Sequence, residues 1–599
     1  MLLGPNRITV LKPKNSLPLI APWGHLRKLV WLAILPLCLI TGCRRSADKS
    51  IYANHDTAID PPQSLTSEGQ VLQRQYIDAA NLPDLQWPNF VNDQKEVREF
   101  YGAFPASLPW ITDGKPTQQA LAIIQALKNA QFKGLAPEDY DASRWDARLR
   151  AIAQSRPTSE PDMVRFDLAL TVSTMRYVSD LHIGRVNPRL FHFDLDIDHT
   201  EFDLSEFLRK ELVGSPNVQA ALESVEPPFP LYHRTQMALK QYLALPSRDD
   251  GQRLSIPKRP VKPGDSYSDL PRLVNLLTIF GDLPTNYAAP ETYAGTVIDG
   301  VKHFQTRHGL EASGVIDAAT IRELNVPIGQ RINQLALTME RIRWLPHEFA
   351  RPPIVVNIPE FRLHADDENF HWVLSMKVVV GGSYHHQTPV FASKIRAVVF
   401  RPYWDVPSSI LRQELLTPIE KNPNYLVEHS YEVVDKSGNV VSEGVVNEAI
   451  LEGLRAGTFR IRQTPGPTNS LGLVKFDIPS VYDVYMHDTP ATELFSRSRR
   501  DFSHGCIRVE DPVRLAAWVL RDMPQWNEEA IRAAMNGDET LRVKLEKPIP
   551  VLVLYSTALV MEDGEVHFFD DIYGLDAELA KVLQKGYPYT GGAETPAGP

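Results

Sequence analysis

Apolar residues recur at helical spacing in the first half of the chain and at strand spacing from residue 352 onward. Residues 118–127 and 163–181 carry apolar side chains three and four positions apart, which predicts amphipathic helices. The same pattern extends over residues 94–257, interrupted by proline and glycine. We therefore expect an α-helical domain there, with no catalytic constellation of its own.

A second, smaller helical unit is predicted at residues 266–326, after the proline-rich linker IPKRPVKPGD. Residues 297–307 and 317–324 read as two amphipathic helices joined by a glycine-bearing turn. A further helix, residues 328–344, lies within a segment at 327–351 that we interpret as a connector.

Beyond residue 352 the apolar pattern predicts a mainly β domain that extends to about residue 574. The expected strands are residues 354–358, 361–364, 372–380, 397–400, 482–487 and 551–555. An insertion at about residues 405–462 is helical at its start and then polar. Residues 575–599 complete the chain as a C-terminal helix and tail. The predicted fold class is therefore multidomain α+β.

The N-terminal segment has the pattern of a secretion signal. Arg27 and Lys28 precede the apolar residues 29–40, and the sequence Thr41-Gly42-Cys43 follows. The ending resembles a bacterial lipobox, which implies that Cys43 is lipidated and becomes the first residue. An ordinary signal peptide or an uncleaved anchor are the alternatives. We interpret residues 1–43 as the signal and residues 44–93 as a flexible polar tether.

Composition narrows the candidate chemistry. The 599 residues carry a formal net charge of −10, which argues against nucleic acid as the main partner. The chain has three cysteines, Cys38, Cys43 and Cys506. If Cys43 is lipidated, Cys506 has no intramolecular disulfide partner, and an unpaired thiol in a secreted protein indicates reactivity.

Cys506 lies in the stretch VYMHDTPATELFSRSRRDFSHGCIRV. Strand alternation puts Tyr485 and His487 on one face of one strand, and Cys506 and Arg508 on one face of another. A neighbouring imidazole can activate a thiol for acyl transfer. The alternative for any single cysteine is a buried, inert side chain.

This stretch resembles the signature of the L,D-transpeptidases, cysteine enzymes that cross-link bacterial peptidoglycan. FYGAFPASLPW, GLAPEDY and LHIGRVNPR resemble the scaffold domain of the large members, and residues 266–326 resemble a peptidoglycan-binding domain. That small domain either binds wall material or serves as a packing element. The resemblance also implies that the insertion caps the active site.

The expected catalytic residues are Cys506 as nucleophile and His487 as base. The N–H groups of Cys506 and its neighbours are candidates for an oxyanion hole, with Gly505 permitting close backbone approach. Ser503 and His504 match the family motif. The resemblance leaves open which group orients His487.

Three further residues are candidates for substrate binding, each with a structural alternative. Tyr485 either hydrogen-bonds substrate or is a half-buried strand residue. Arg508 either pairs with a substrate carboxylate or forms a surface ion pair. Trp404 aligns with a substrate-side tryptophan of the large family members, or else lies in the core of the insertion.

The implied reaction is formation of 3–3 cross-links between tetrapeptide stems, with carbapenems as covalent inhibitors. Water as acceptor would instead give an L,D-carboxypeptidase or endopeptidase, and a protein lysine would give wall attachment. A non-catalytic wall-binding lipoprotein is the remote alternative. The expected location is the periplasm, on the outer membrane. Neither His385-His386 nor the pair His303 and His308 has the partners of a metal site, so we expect no metal or cofactor.

Overall fold

A computed structural model describes residues 61–154, 159–191, 193–195, 202–382 and 386–589. The predicted signal segment, Cys43, residues 44–60 of the expected tether and residues 590–599 of the tail lie outside these ranges. Within them, none of the helices combines the length and the apolar character needed to cross a membrane.

The N-terminal half is a helical domain built around one long helix, Glu160–Ile183, which is buried along most of its length. The other α-helices are Ser67–Ala79, Gln94–Gly102, Gln118–Lys128, Trp145–Gln154, Leu204–Phe207, Val218–Glu223 and Pro230–Tyr242. Short 3₁₀ or π turns lie at Ala130–Lys133, Pro137–Tyr140, Pro188–Phe191, Leu208–Leu212 and Leu245–Arg248. Two small strand pairs join Gln63–Ser64 to Ser107–Leu108 and Ile111–Thr112 to Lys115–Pro116.

The prediction of a flexible tether over residues 44–93 is wrong for residues 61–93, which fold as part of this domain. The helix Ser67–Ala79 begins at Thr66, whose hydroxyl accepts the Gly69 N–H at 3.2 Å. Ile77 and Phe90 are buried in the helical core. The segment is polar on average, but its few apolar residues fall where they reach the same core.

The smaller helical unit contains the helices Leu270–Phe280, Thr296–Arg307 and Ala318–Leu324. Its motif residues bond to one another. Gln305 Nε2 donates to Thr320 Oγ1 at 3.0 Å, and Asp317 Oδ1 accepts the Thr320 N–H at 2.8 Å. Arg307 donates to the carbonyl of Val566 at 3.3 Å, so the unit is docked on the β-hairpin Ala558–Val560 and Val566–Phe568.

The predicted connector is the helix Ile328–Arg343, and it is buried. Glu340, fully buried, accepts from Arg185 Nε at 3.1 Å and from Arg343 Nη1 at 3.5 Å. Because Arg185 belongs to the helical domain, this buried ion cluster fixes the helix to that domain. The helix is therefore a central packing element rather than an exposed link.

Eight strands of the C-terminal half close into a barrel. In chain order they are β1 Ile354–Asn357, β2 Arg362–Asp366, β3 Trp372–Gly381, β4 Val390–Phe400, β5 Val474–Asp477, β6 Met486–His487, β7 Ile507–Val509 and β8 Leu541–Leu554. Around the barrel the order is β4-β5-β6-β7-β3-β2-β1-β8, and β8 pairs with β4 to close it. The short strands Phe193–Asp194 and Asp501–Ser503 pair alongside β4 and β3.

Strand β6 is shorter than the predicted strand at residues 482–487. Asp483 has φ +51, a left-handed conformation that interrupts extended backbone. Only Met486–His487 then pairs on both sides, with β5 and with β7.

The insertion forms a subdomain with its own core. Its four-stranded sheet has the order Trp404–Asp405, Arg460–Gln463, Tyr431–Val434, Val440–Ser442. Its helical segments are Ser408–Ile410, Leu411–Leu415, Leu416–Lys421, Tyr425–Glu428 and Glu448–Ala456. The remaining helical segments of the C-terminal half are Thr492–Ser496, Pro512–Val519, Glu528–Asn536 and Leu575–Leu583.

Candidate active site

Cys506 directly precedes β7, after a sharp turn. Gly505 has φ +112, a conformation that side-chain-bearing residues rarely adopt. Ser503 Oγ donates to the carbonyl of Cys506 at 2.5 Å and accepts the Gly505 N–H at 3.1 Å. Thr388 Oγ1 donates to the Gly505 carbonyl at 2.8 Å. These bonds fix the turn, and they give Ser503 a structural role beside the thiol.

The register of β6 and β7 places the candidate residues on one face of the barrel wall. The two strands are parallel, with His487 opposite Arg508, so Tyr485 comes opposite Cys506. Ile507 is fully buried, whereas Cys506 is half-buried. His487 lies one strand across and two residues along from Cys506. With about 4.8 Å between strands and about 6.6 Å for two residues, their Cα atoms are about 8 Å apart.

The backbone of Asp488 orients the imidazole of His487. His487 Nδ1 lies 2.5 Å from the carbonyl oxygen of Asp488, which can only accept, so Nδ1 carries the hydrogen and Nε2 is the basic nitrogen. Burial, aided by the charge of Arg508, lowers the pKa of His487 to about 3. The imidazole is therefore neutral near pH 7.

The carboxylate of Asp488 does not orient the imidazole. It accepts the N–H groups of Leu473 at 2.8 Å and of Thr489 at 2.7 Å. Asp488 thus joins the ends of β5 and β6 through its side chain and holds the base through its backbone.

The thiol of Cys506 is also neutral at rest. Burial raises its pKa, while hydrogen bonds from Tyr485 and the charges of Lys475 and Arg508 act in the opposite direction. The sulfur lies 3.9 Å from the carbonyl oxygen of Asp483. Because the thiol pKa is raised and the imidazole pKa is lowered, the resting pair is neutral rather than a thiolate–imidazolium ion pair.

Two cations flank this thiol. Lys475 on β5 is the cross-strand partner of His487, and its Nζ lies 3.8 Å from the centre of the Tyr485 ring. Burial lowers the pKa of Lys475. Arg508 Nε is buried and has no hydrogen-bond partner among the residues that the structure describes.

The sequence analysis missed Lys475. It lies outside the 484–509 motif, on a strand that the apolar pattern did not single out. The available signal was a lysine between the apolar residues Val474 and Phe476, twelve positions before His487. That alternation puts the lysine on the face opposite to the buried one.

Family comparisons agree with this geometry. Residues 351–540 match the model of the L,D-transpeptidase catalytic domain, and residues 95–239 match that of the Scaffold domain. The chain therefore contains an L,D-transpeptidase catalytic domain and a Scaffold domain. Its site lies inside the matched catalytic domain, and its long helix Glu160–Ile183 inside the matched scaffold domain.

Individual relatives are more distant. A Haemophilus influenzae protein, provisionally described as an L,D-transpeptidase, is 33% identical over 246 residues. The match covers 41% of this chain and 48% of that protein, so the chain spans about half the length of the curated relative. A crystal structure of an L,D-transpeptidase fragment from Xylanimonas cellulosilytica is 12% identical to this chain, with a TM-score of 0.17. The match covers 50% of this chain and 100% of the fragment.

The insertion of this catalytic domain contacts the site at two places. Trp404 hydrogen-bonds the side chain of Tyr485 and packs against the insertion core. His504 Nε2 lies 2.5 Å from Glu414 Oε1 of the insertion. Trp404 therefore lies at the insertion core and also reaches Tyr485, while His504 is engaged with the insertion.

The described residues contain no group of three or more His, Cys, Asp and Glu side chains arranged for a metal ion. His303 lies between Asp282 Oδ1 at 2.8 Å and Glu565 Oε2 at 2.7 Å. His308 Nδ1 bonds the carbonyl of Phe304 at 2.8 Å. His385 lies outside the described residues.

Proposed function

We propose that this protein cross-links peptidoglycan stem peptides through a thioester on Cys506. The observation that carries the proposal is the common face shared by Cys506, Tyr485, His487 and Arg508 at the paired ends of β6 and β7. A nucleophile, a neutral base and two cations meet there under a capping subdomain.

In the first step, Cys506 Sγ attacks the carbonyl carbon at the L-centre of diaminopimelate in a tetrapeptide stem. His487 Nε2 takes the thiol proton and returns it to the leaving amine as the bond to the terminal D-Ala breaks. The products are free D-Ala and a thioester. The imidazole is neutral at rest because burial lowers its pKa to about 3, so the lone pair of Nε2 is free to take this proton.

The tetrahedral intermediate carries a negative oxygen. The Gly505 N–H already donates to Ser503 Oγ, so the Cys506 N–H is the nearest backbone candidate to stabilise that charge. Lys475 and Arg508 add positive charge on the same face, and both act to favour an anionic Cys506.

In the second step, the side-chain amine of another diaminopimelate attacks the thioester. The C–S bond breaks, His487 relays the amine proton to the thiolate, and a 3–3 cross-link forms. The insertion is joined to the site through Trp404 and His504. Because a covered site limits hydrolysis, the insertion favours the diaminopimelate amine over water as the acceptor.

We propose secretion to the periplasm with a lipid anchor at Cys43 on the outer membrane. The support is the basic, apolar and Thr41-Gly42-Cys43 pattern, followed by Arg44. The test is Cys43→Ser, which should release the protein from membranes or block its maturation. Wild-type protein that is soluble, with an unmodified N-terminus beyond Cys43, would contradict the anchor.

The test of the reaction is incubation with purified disaccharide-tetrapeptides, followed by mass spectrometry of the products. Cross-linked 3–3 dimers and free D-Ala support the proposal. Tripeptides without dimers indicate that water is the acceptor. Unchanged substrate, or dimers made equally well by Cys506→Ala, would overturn it.

A further inference from the structure

A cleft of about 590 Å³ lies between the smaller helical unit and the catalytic barrel, apart from Cys506. The turn after the helix Thr296–Arg307 contributes one wall, including Leu310. The outer faces of β2 and β3 contribute another, and residues 498–500 and 561–572 close the ends. These four regions are far apart in sequence, so only the folded chain forms this cleft.

The β2–β3 wall carries a guanidinium that forms no direct salt bridge among the described residues. Arg362 donates from Nε and Nη2 to Ser375 Oγ at 3.1 and 2.9 Å. Across the described part of the chain no carboxylate forms a salt bridge with it. Its cross-strand neighbour Lys377 adds a second cation to the wall and forms a salt bridge with Glu510 at 3.6 Å. A half-buried guanidinium of this kind is suited to a carboxylate.

The same wall holds a buried ring nitrogen with no partner. His364, 3% exposed, lines the cleft two residues after Arg362, and its Nδ1 has no hydrogen-bond partner within the described ranges. Its Nε2 lies 3.0 Å from Glu360 Oε1. Because that carboxylate accepts, Nε2 carries a hydrogen and holds the imidazole against Glu360 at the edge of the cleft.

The rest of the lining is mixed. Leu310, Met561 and Ile572 provide aliphatic surface, and Trp372 stacks on His364 with ring centres 3.9 Å apart. Glu360 bonds His364 and Asn357 and forms no salt bridge with Arg362 within the described ranges, although the two opposite charges attract each other. A guanidinium without a direct salt bridge in the described chain, a neighbouring lysine and aliphatic surface together match a short peptide with a free carboxylate.

The cleft is also connected to the site. Strand β3 passes from Lys377 in the cleft to Val379, which is opposite Arg508 on β7. Two residues of strand span about 7 Å. A ligand in the cleft would thus lie next to the site rather than on a remote surface.

We propose that this cleft is a second binding site, for a short acidic peptide whose carboxylate pairs with Arg362. This second site rests on the proposed function only for the identity of the peptide. The peptide would be a peptidoglycan stem other than the one bonded to Cys506. Binding a second stem there would hold wall material next to the thioester.

The test uses the full chain with Cys506→Ala, which removes turnover. The probe is a disaccharide-tetrapeptide carrying a diazirine, and labelled residues are mapped by mass spectrometry. We expect labels in residues 306–312 or 359–377 as well as near position 506. A probe with amidated carboxylates should label the cleft at least about tenfold less, since a charge-assisted bond is lost.

Variants locate the contact. Arg362→Gln should reduce cleft labelling about tenfold or more and leave labelling near position 506 unchanged, whereas Arg362→Lys keeps the charge and should retain most of it. Arg150→Gln, at an exposed arginine of the helical domain, is the matched control. Equal melting temperatures of the three variants show that each is folded.

The outcomes separate the two proposals. Labels only near position 506, or cleft labels unaffected by amidation or by Arg362→Gln, would overturn the second site. Cleft labels that depend on carboxylates and on Arg362, without labels near position 506, would support the second site and contradict the proposed reaction.

Discussion

His487 donates its Nδ1 hydrogen to the carbonyl of Asp488, the next residue in the chain, at 2.5 Å. No third side chain is needed to orient the imidazole of His487, because the backbone carbonyl of the next residue holds it. It fixes the tautomer with Nε2 unprotonated, and β6 aims that ring along the face shared with Cys506. The side chain of Asp488 is thereby free to brace the neighbouring loop.

We predict that His487→Gln lowers the rate of D-Ala release by about 10²–10⁴-fold, because the general base is lost. Asp488→Asn is the matched control, since it alters the carboxylate and keeps the carbonyl. Its rate should stay within a few-fold of wild type. Equal losses in the two variants would show that the side chain of Asp488 orients the base.

The pH dependence of thiol reactivity follows from the raised pKa of Cys506. A raised pKa keeps the thiol protonated at neutral pH, so alkylation of Cys506 by iodoacetamide should accelerate steadily as pH rises through 9. A plateau beginning below pH 6 would instead reveal a resting thiolate–imidazolium pair. The modified peptide identifies Cys506 against Cys38 and Cys43.

Lys475→Met should slow this alkylation at pH 8, because removing a neighbouring cation raises the thiol pKa further. The control is Lys544→Met, at an exposed lysine of β8, which should leave the rate unchanged. If both variants react like wild type, Lys475 has no electrostatic effect on the nucleophile.

Carbapenems should acylate Cys506, since attack on the strained lactam carbonyl repeats the first step of the proposed reaction. Ring opening expels no leaving group, so intact mass should rise by one whole inhibitor molecule. The adduct should be absent in Cys506→Ala. An adduct that persists there would place the reactive group elsewhere.

Apolar periodicity along the sequence predicted most of the helices. One local motif predicted which of the site residues share a face. The helix expected at residues 328–344 is Ile328–Arg343, and Cys506 and Arg508 do share a face. What it missed depends on distant contacts. Phe90 reaches the helical core from a polar segment, and Lys475 meets His487 only through the register of β5 and β6.

The buried charges of Ile328–Arg343 were also beyond a sequence pattern. Arginine and glutamate at helical spacing normally predict a solvated face. Here Glu340 and Arg343 are fully buried because Arg185, more than 150 positions earlier, completes their pairing. No local rule connects those positions.

Glu340→Ala should destabilise the protein by about 3–5 kcal/mol, because Arg185 and Arg343 would remain buried without their carboxylate. Glu340 Oε1 also accepts the backbone N–H groups of Arg185 at 2.5 Å and Val186 at 3.3 Å, and both would lose their acceptor. Glu340→Gln keeps the shape and should cost less. The measurement is the midpoint of the first unfolding transition in urea, with Glu348→Ala, at an exposed glutamate, expected within about 0.5 kcal/mol of wild type. If Glu340→Ala and Glu348→Ala have the same urea midpoint, the buried cluster does not hold the helical domain to the central helix.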